Sequence, residues 1–214
     1  MSTQDMVNNI FNEDCLLTMS RMGDKSVDLV LTDPPYGIKR FENVGDETSG
    51  IFAQMGTFKN AESWNNPKPG KKTFDEIFRV SKNQIIWGGN NFSLPPSEYF
   101  IIWDKCQGFP NFAQCEFAWV SSGLKKPAKI FRYPISKLNR DYRQHPTQKP
   151  LDLFKWIIQN YSNENDIIYD PFIGSGTTAI ACIDLKRNYI GSEISEEYYQ
   201  ITCERVRNLP PELF

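Results

Sequence analysis

The chain has 214 residues, 40% of them hydrophobic, and a formal net charge of −2. That length supports one well-buried core rather than two large domains, and the near-neutral balance removes any whole-molecule charge argument for a nucleic-acid partner. No run approaches a membrane span, no basic segment followed by an apolar block opens the chain, and the five cysteines (Cys15, Cys106, Cys115, Cys182, Cys203) form no Cys-x-x-Cys pair. A soluble, cytoplasmic protein is therefore expected, with no disulfide framework, metal centre or membrane partner.

Residues 15–22 carry apolar side chains at helical spacing and precede the apolar run 27–31, which reads as a buried strand. That strand leads straight into Asp33-Pro34-Pro35-Tyr36, which places a carboxylate, a stiff backbone carbonyl and an aromatic face within four residues. On its own the tetrapeptide is equally an ordinary turn after a strand. Residues 39–70 are polar and rich in Gly, Asn and Pro, so a long loop or lid follows. Residues 72–80 put Phe74, Ile77 and Phe78 on one helical face and give way to a short strand over 84–87, ended by Gly88-Gly89. Two further strands are expected over 99–103 and 115–120, where aromatic and β-branched residues suit a half-buried sheet.

Between residues 125 and 149 lie Lys125, Lys126, Lys129, Arg132, Lys137, Arg140, Arg143 and Lys149, opposed only by Asp141. A solvated lysine-rich loop accounts for the charge alone. Ile130-Phe131, Tyr133 and Tyr142 interleave with it, which favours a surface that meets phosphates and bases.

The last third is the most regular. Pro150 lies in the first turn of a helix that carries Leu151, Phe154, Ile157, Ile158 and Tyr161 toward a core, and a strand over 166–169 follows. After a loop, Asp170-Pro171-Phe172-Ile173-Gly174-Ser175-Gly176-Thr177-Thr178, come a helix over 178–186 and a strand over 188–193. Ser195 caps a last helix, with Glu196 and Glu197 in its first turn and Arg205 and Arg207 near its end. Strands alternating with helices predict an α/β fold with a mostly parallel sheet and a single domain.

In such sheets ligands sit beyond the carboxyl ends of the strands, and Gly174 and Gly176 let the backbone approach one closely. The loop lacks the lysine of a nucleoside-triphosphate loop and one glycine of the dinucleotide fingerprint. Amides opening the next helix can still receive a carboxylate, and Glu193, about 20 residues beyond the glycines, stands where an acid meets ribose hydroxyls. Taken alone, Glu193 is an ordinary surface acid. A ligand with an amino-acid end and a nucleoside end satisfies both groups, and S-adenosylmethionine has that shape.

Four pieces in this order, Asn12-Glu13-Asp14-Cys15-Leu16, the run 27–37 with its Asp-Pro-Pro-Tyr, His145-Pro146-Thr147-Gln148-Lys149-Pro150, and 170–178 with Ile190-Gly191-Ser192-Glu193, span nearly the whole chain. The sequence resembles the β-class amino-methylating DNA methyltransferases, in which the catalytic tetrapeptide precedes the cofactor motif. The resemblance implies a Rossmann-like S-adenosylmethionine-dependent methyltransferase fold with helices on both faces of the sheet and a circularly permuted motif order. It implies that Asp170, Phe172, Gly174 and Gly176 wrap the methionine end of the cofactor, assisted by Thr177 and Thr178. Glu193 would hold the ribose, Asp14 the adenine amine, and Lys149 would sit near the cofactor carboxylate. His145, the only histidine, precedes Pro146 and is held extended, so a structural or positioning role is the plainer reading than a general base.

An exocyclic amine is a poor nucleophile because its lone pair is delocalised into the ring. Asp33 and the Pro34 carbonyl would accept its hydrogens and return that density to nitrogen, Pro35 would stiffen the turn, and Tyr36 would stack on the extruded base. Asp in the first position resembles adenine-N6 enzymes more than cytosine-N4 enzymes, which commonly carry Ser there. No Pro-Cys nucleophile for carbon-5 methylation is present. Double-stranded DNA is the expected partner, read by a small segment over residues 106–142 with Arg132, Lys137, Arg140 and Arg143. A homodimer and a cognate restriction enzyme are further expected partners. The alternatives are a cytosine-N4 enzyme, an RNA or protein methyltransferase with a similar tetrapeptide, and a catalytically silent DNA-binding protein on the same fold.

Overall fold

The computed structural model describes residues 2–37, 68–108, 113–137 and 149–210. In chain order these form β1 (Asn9–Phe11), α1 (Cys15–Ser20), β2 (Val27–Thr32), α2 (Lys71–Val80), β3 (Ser81–Trp87), β4 (Phe100–Asp104), β5 (Cys115–Val120) and β6 (Lys129–Arg132). Then follow α3 (Leu151–Tyr161), β7 (Ile167–Asp170), α4 (Thr177–Asp184), β8 (Asn188–Ser192) and α5 (Glu196–Arg207).

The eight strands form one sheet in the order β1-β8-β7-β2-β3-β5-β4-β6. All pairings are parallel except those of β5 with β3 and with β4, so β5 alone runs against its neighbours. Strands of a parallel sheet covered on both faces read as continuous apolar runs, and β2 is such a strand. Its Leu29 and Leu31 pack with Leu153, Ile157, Ala179 and Ile183 of α3 and α4. Val30, facing the other way, packs with Met19 of α1 and with Phe74, Ile77 and Val80 of α2. The expected fold, with helices on both faces, is the one observed.

The helix ends follow their residue types. Asp14 caps α1 by accepting from Leu16 N at 2.8 Å. Ser195 caps α5, accepting from Tyr198 N, with two acids in its first turn and two arginines in its last. Pro150 is the residue that precedes α3 rather than a member of its first turn.

Two strands lie where no strand is expected. β1 has three residues, too few to display any periodicity, and forms because its backbone pairs with β8. β6 falls inside the basic stretch and pairs with β4 through Ile101 with Lys129 to Asp104 with Arg132. As an edge strand it tolerates charged residues that a central strand would exclude. Nearly all of the expected lid over 39–70 lies outside the described residues, as do Arg140, Arg143 and His145.

Candidate active site at the carboxyl edge of the sheet

β2 and β7 are parallel neighbours, with Leu29 opposite Ile168 and Val30 opposite Tyr169. The Asp-Pro-Pro-Tyr tetrapeptide and the glycine loop therefore leave the same edge of strands that stand about 5 Å apart. A buried hydrogen bond ties them: Thr32 Oγ1 donates to Asp170 Oδ1 at 2.8 Å. The same carboxylate accepts from Phe172 N at 3.1 Å and from Thr178 Oγ1 at 2.5 Å. Burial raises the Asp170 carboxyl to about 7 although these three donors favour its ionised form. Its side chain braces the loops against each other.

On the tetrapeptide side, Tyr36 OH donates to Asp33 Oδ1 at 2.5 Å and Lys149 Nζ to Asp33 Oδ2 at 2.5 Å. Pro34 is buried, so the turn that presents its carbonyl is packed as well as stiff. Lys149 also reaches Glu116 Oε2 at 3.0 Å, and Glu116 Oε1 pairs with Lys105 at 2.7 Å. Lys149 is only 5% exposed and lies 5.5 Å from the centre of the Trp87 ring and 5.9 Å from that of Tyr36. Its burial opposes the charged form, but Asp33 and Glu116 outweigh that and keep the ammonium protonated. Burial likewise opposes ionisation of Glu116, yet Lys149 and Lys105 hold its carboxyl down at about 2. The structure thus puts Lys149 on the Asp33 carboxylate, where a place beside the cofactor carboxylate is expected. Among the described residues its carboxylate partners are Asp33 and Glu116.

Gly88 makes room for this arrangement. It follows β3 with φ +61, and a Cβ there would overlap the Tyr36 ring. The Tyr36 ring also meets Phe92 edge-on at 6.2 Å. Gly88, Glu116 and Lys105 are site residues that sequence reasoning misses. Gly88-Gly89 reads only as the end of a strand, and the acid and lysine sit in unmotivated strand-end positions.

On the cofactor side, Glu193 follows β8 and is 8% exposed. Gly174 N donates to its Oε2 and Ser195 N to its Oε1, each at 2.9 Å. Burial raises this carboxyl above its ordinary value. Each oxygen keeps a lone pair for a hydroxyl donor, which is what a ribose diol requires. Gly174 and Gly176 have φ +54 and +84, and a Cβ on Gly174 would meet nothing nearer than Phe172 O at 3.9 Å, so its outer side is open. At Gly176 a Cβ would come within 2.6 Å of Thr202 Cγ2. Helix α5 clamps the loop from behind: Thr202 Oγ1 donates to Gly174 O at 2.5 Å, and Arg205 donates to Ser175 O. Thr202 is absent from the sequence reading, and Arg205, about one turn on, enters it only as a charge near the end of the last helix. Asn12 Nδ2 bonds Glu193 O at 2.9 Å, which brings the exposed Asp14 region beside Glu193. Phe172 is partly buried against the α1–α2 core, and Thr177 and Thr178 are buried at the start of α4. A fixed carboxylate and an open glycine turn, with Arg205 held behind the loop, fit a cationic ligand with a ribose.

The family model described as a DNA methylase of the N6/N4 type matches residues 118–204. The Type II methyltransferase M2.MboI of Moraxella bovis is 30% identical over 96% of this chain and 89% of its own. The chain belongs to the N6/N4 DNA methylase family. The Type II methyltransferase M.HinfI of Haemophilus influenzae is 28% identical over 97% of this chain and 70% of its own. Among solved structures, the M1.HpyAVI–SAM complex superimposes with a TM-score of 0.58 at 24% identity, covering 98% of this chain and all of that one. The cytosine-N4-specific PvuII DNA methyltransferase gives 0.63 at 16% identity over 95% and 88%. As a member of this family the protein is a DNA methyltransferase, and its cofactor is S-adenosylmethionine. No helix among the described residues is long and apolar enough to cross a membrane.

The structure divides the basic stretch. Lys126 precedes β6 and is pinned at the far edge of the sheet, donating to Asn160 O at 2.5 Å with Tyr161 beneath it. Arg132 ends β6 at the carboxyl edge, 70% exposed, with Asp104 Oδ2 3.4 Å away, and the exposed Lys137 lies five residues on. One continuous basic field is therefore not what the fold builds from residues 125–137.

Proposed function

We propose that this methyltransferase acts on the N6 amine of adenine at a specific site in double-stranded DNA, with the base extruded from the helix. The observation that carries the reading is the Asp33 carboxylate, partly buried just after the end of β2 and beside the glycine turn that follows β7. When bound, S-adenosylmethionine supplies an electrophilic methyl group on sulfur. Asp33 and the Pro34 carbonyl accept the two hydrogens of the target amine and turn its lone pair outward. The Tyr36 ring offers a stacking surface, worth about 1–3 kcal/mol against the cost of extruding the base. Glu193 holds the ribose hydroxyls, Asp14 the adenine amine, and Gly174 and Gly176 the methionine end. Phe172, Thr177 and Thr178 shape that pocket, and Asp170 acts through the loop it braces.

Asp, not Ser, in the first position of the tetrapeptide supports adenine over cytosine. Nucleosides from DNA treated with the protein and analysed by mass spectrometry are expected to contain new N6-methyladenine. N4-methylcytosine without N6-methyladenine would overturn the choice of base. A silent binding protein is separated by the Asp33→Ala variant, since such a protein has no methyl transfer to lose. Arg132 and Lys137, with Arg140 and Arg143 outside the described residues, are the residues proposed to meet DNA. A cognate restriction enzyme and a second copy of the chain complete the proposed partners. Sedimentation as a monomer at working concentration would remove the dimer.

A further inference from the structure

Glu116 has no place in the motifs of the chain, yet it stands 3.0 Å from the ammonium that covers the catalytic carboxylate. It arrives there through topology. β5 is the one reversed strand, so its first residues, Cys115 and Glu116, lie at the edge where β2, β3 and β7 end, with Glu116 opposite Trp103.

Both oxygens of Asp33 are engaged, Oδ1 by Tyr36 and Oδ2 by Lys149. Each oxygen keeps a lone pair for the arriving amine, and Asp33 accepts more strongly as the hold of Lys149 slackens. A buried ammonium released without a partner is strongly unfavourable, and an ammonium that stays on Asp33 weakens it as an acceptor. Glu116 answers both problems. It is already bonded to Lys149, the second bond it receives from Lys105 keeps it in place, and the four groups sum to zero charge.

We propose that Glu116 is a positioning residue for methyl transfer, onto which Lys149 is drawn when the target amine takes its place on Asp33. The inference rests on methyl transfer at Asp33 as proposed above. No bond to Glu116 is made or broken; an ion pair shifts between two carboxylates that are both already in contact with the same nitrogen.

The test uses the full chain, tritiated S-adenosylmethionine and unmethylated genomic DNA. Glu116→Gln keeps the volume and removes the charge, so turnover should fall roughly 10–100-fold while the Kd for S-adenosylmethionine stays within about threefold of wild type. Glu116→Asp restores the charge with a shorter reach and should turn over faster than Glu116→Gln. A merely structural tether predicts neither the split between turnover and cofactor affinity nor the rescue. The proposal is overturned by wild-type turnover in Glu116→Gln, by a loss mirrored in cofactor affinity, or by Glu116→Asp performing no better. Should Glu116→Gln fail to fold, Glu116→Ala takes its place under the same readouts: wild-type turnover, or loss tracking cofactor affinity, overturns the idea. A wild-type protein that transfers no methyl to DNA would sink the activity itself, whereas an active wild type with an indifferent Glu116→Gln sinks only this inference.

Discussion

Asp170 and Glu193, on the β7–β8 side of the site, take their hydrogen bonds from hydroxyls and backbone N–H groups. Asp33 and Glu116, on the β2–β5 side, are bonded to lysines. Burial pushes the first pair of carboxyls up, whereas Lys149 and Lys105 hold Glu116 down at about 2 despite its burial. The difference matches what each side is proposed to receive. On the proposed reading the β7–β8 side meets a sulfonium and an ammonium, which neutral donors and carboxylates suit. The base is proposed to bring a neutral amine that needs an acceptor, and the lysines nearby keep Glu116 ionised.

Variants that break one side and spare the other sharpen this contrast. The largest effect is expected from Asp33→Ala, which should lower methyl transfer by about 10²–10³-fold or more, with cofactor affinity nearly unchanged in calorimetric titration. Glu193→Gln should do the reverse: loss of a charge-assisted pair of hydrogen bonds, about 1.5–3 kcal/mol, weakens S-adenosylmethionine binding on the order of tenfold to a hundredfold. Gly88→Ala forces a Cβ into the Tyr36 ring at a positive φ, and is expected to cost about 1–3 kcal/mol in chemical denaturation and to slow turnover without weakening the cofactor.

The two sides should also separate in pH. Asp170 binds its proton more tightly folded than unfolded, so its contribution favours the native state at low pH and is lost as pH rises from about 4 through about 7. Wild-type unfolding free energy should therefore decline over that window by up to a few kcal/mol, and Asp170→Asn should flatten the decline. Glu116, held low, acts oppositely: its contribution is present above ordinary carboxylate values and disappears as pH falls toward about 2. A stability profile that rises from pH 4 to 7 in wild type and ignores Asp170→Asn would contradict the contrast. The smallest effect belongs to Arg132→Ala, which should weaken DNA binding uniformly across sequences and reduce its salt slope by about one.

Much of the fold is legible locally. The run 27–31, the helical faces around Phe74 and Ile157, and the cap at Ser195 each carry a period or a terminal residue that reports its own conformation. The short strands escape that reading because β1 and β6 have three and four residues and exist through their pairing partners. The motif residues Asp33, Tyr36, Gly174, Gly176 and Glu193 are likewise readable, because strand ends and glycine turns have recognisable neighbours.

What the sequence by itself determines is therefore the chemistry on offer: an acid with a stiffened turn, a glycine loop, an acid after the next strand, and the order in which they come. Only the tertiary structure decides how those groups are wired. Lys149 meets Asp33 across 116 residues of chain, and Glu116 joins them because one strand is reversed. Ion pairs and hydrogen bonds act over a few ångströms in space without regard to separation along the chain. No local pattern in the sequence can encode a contact that the folding of the sheet alone creates.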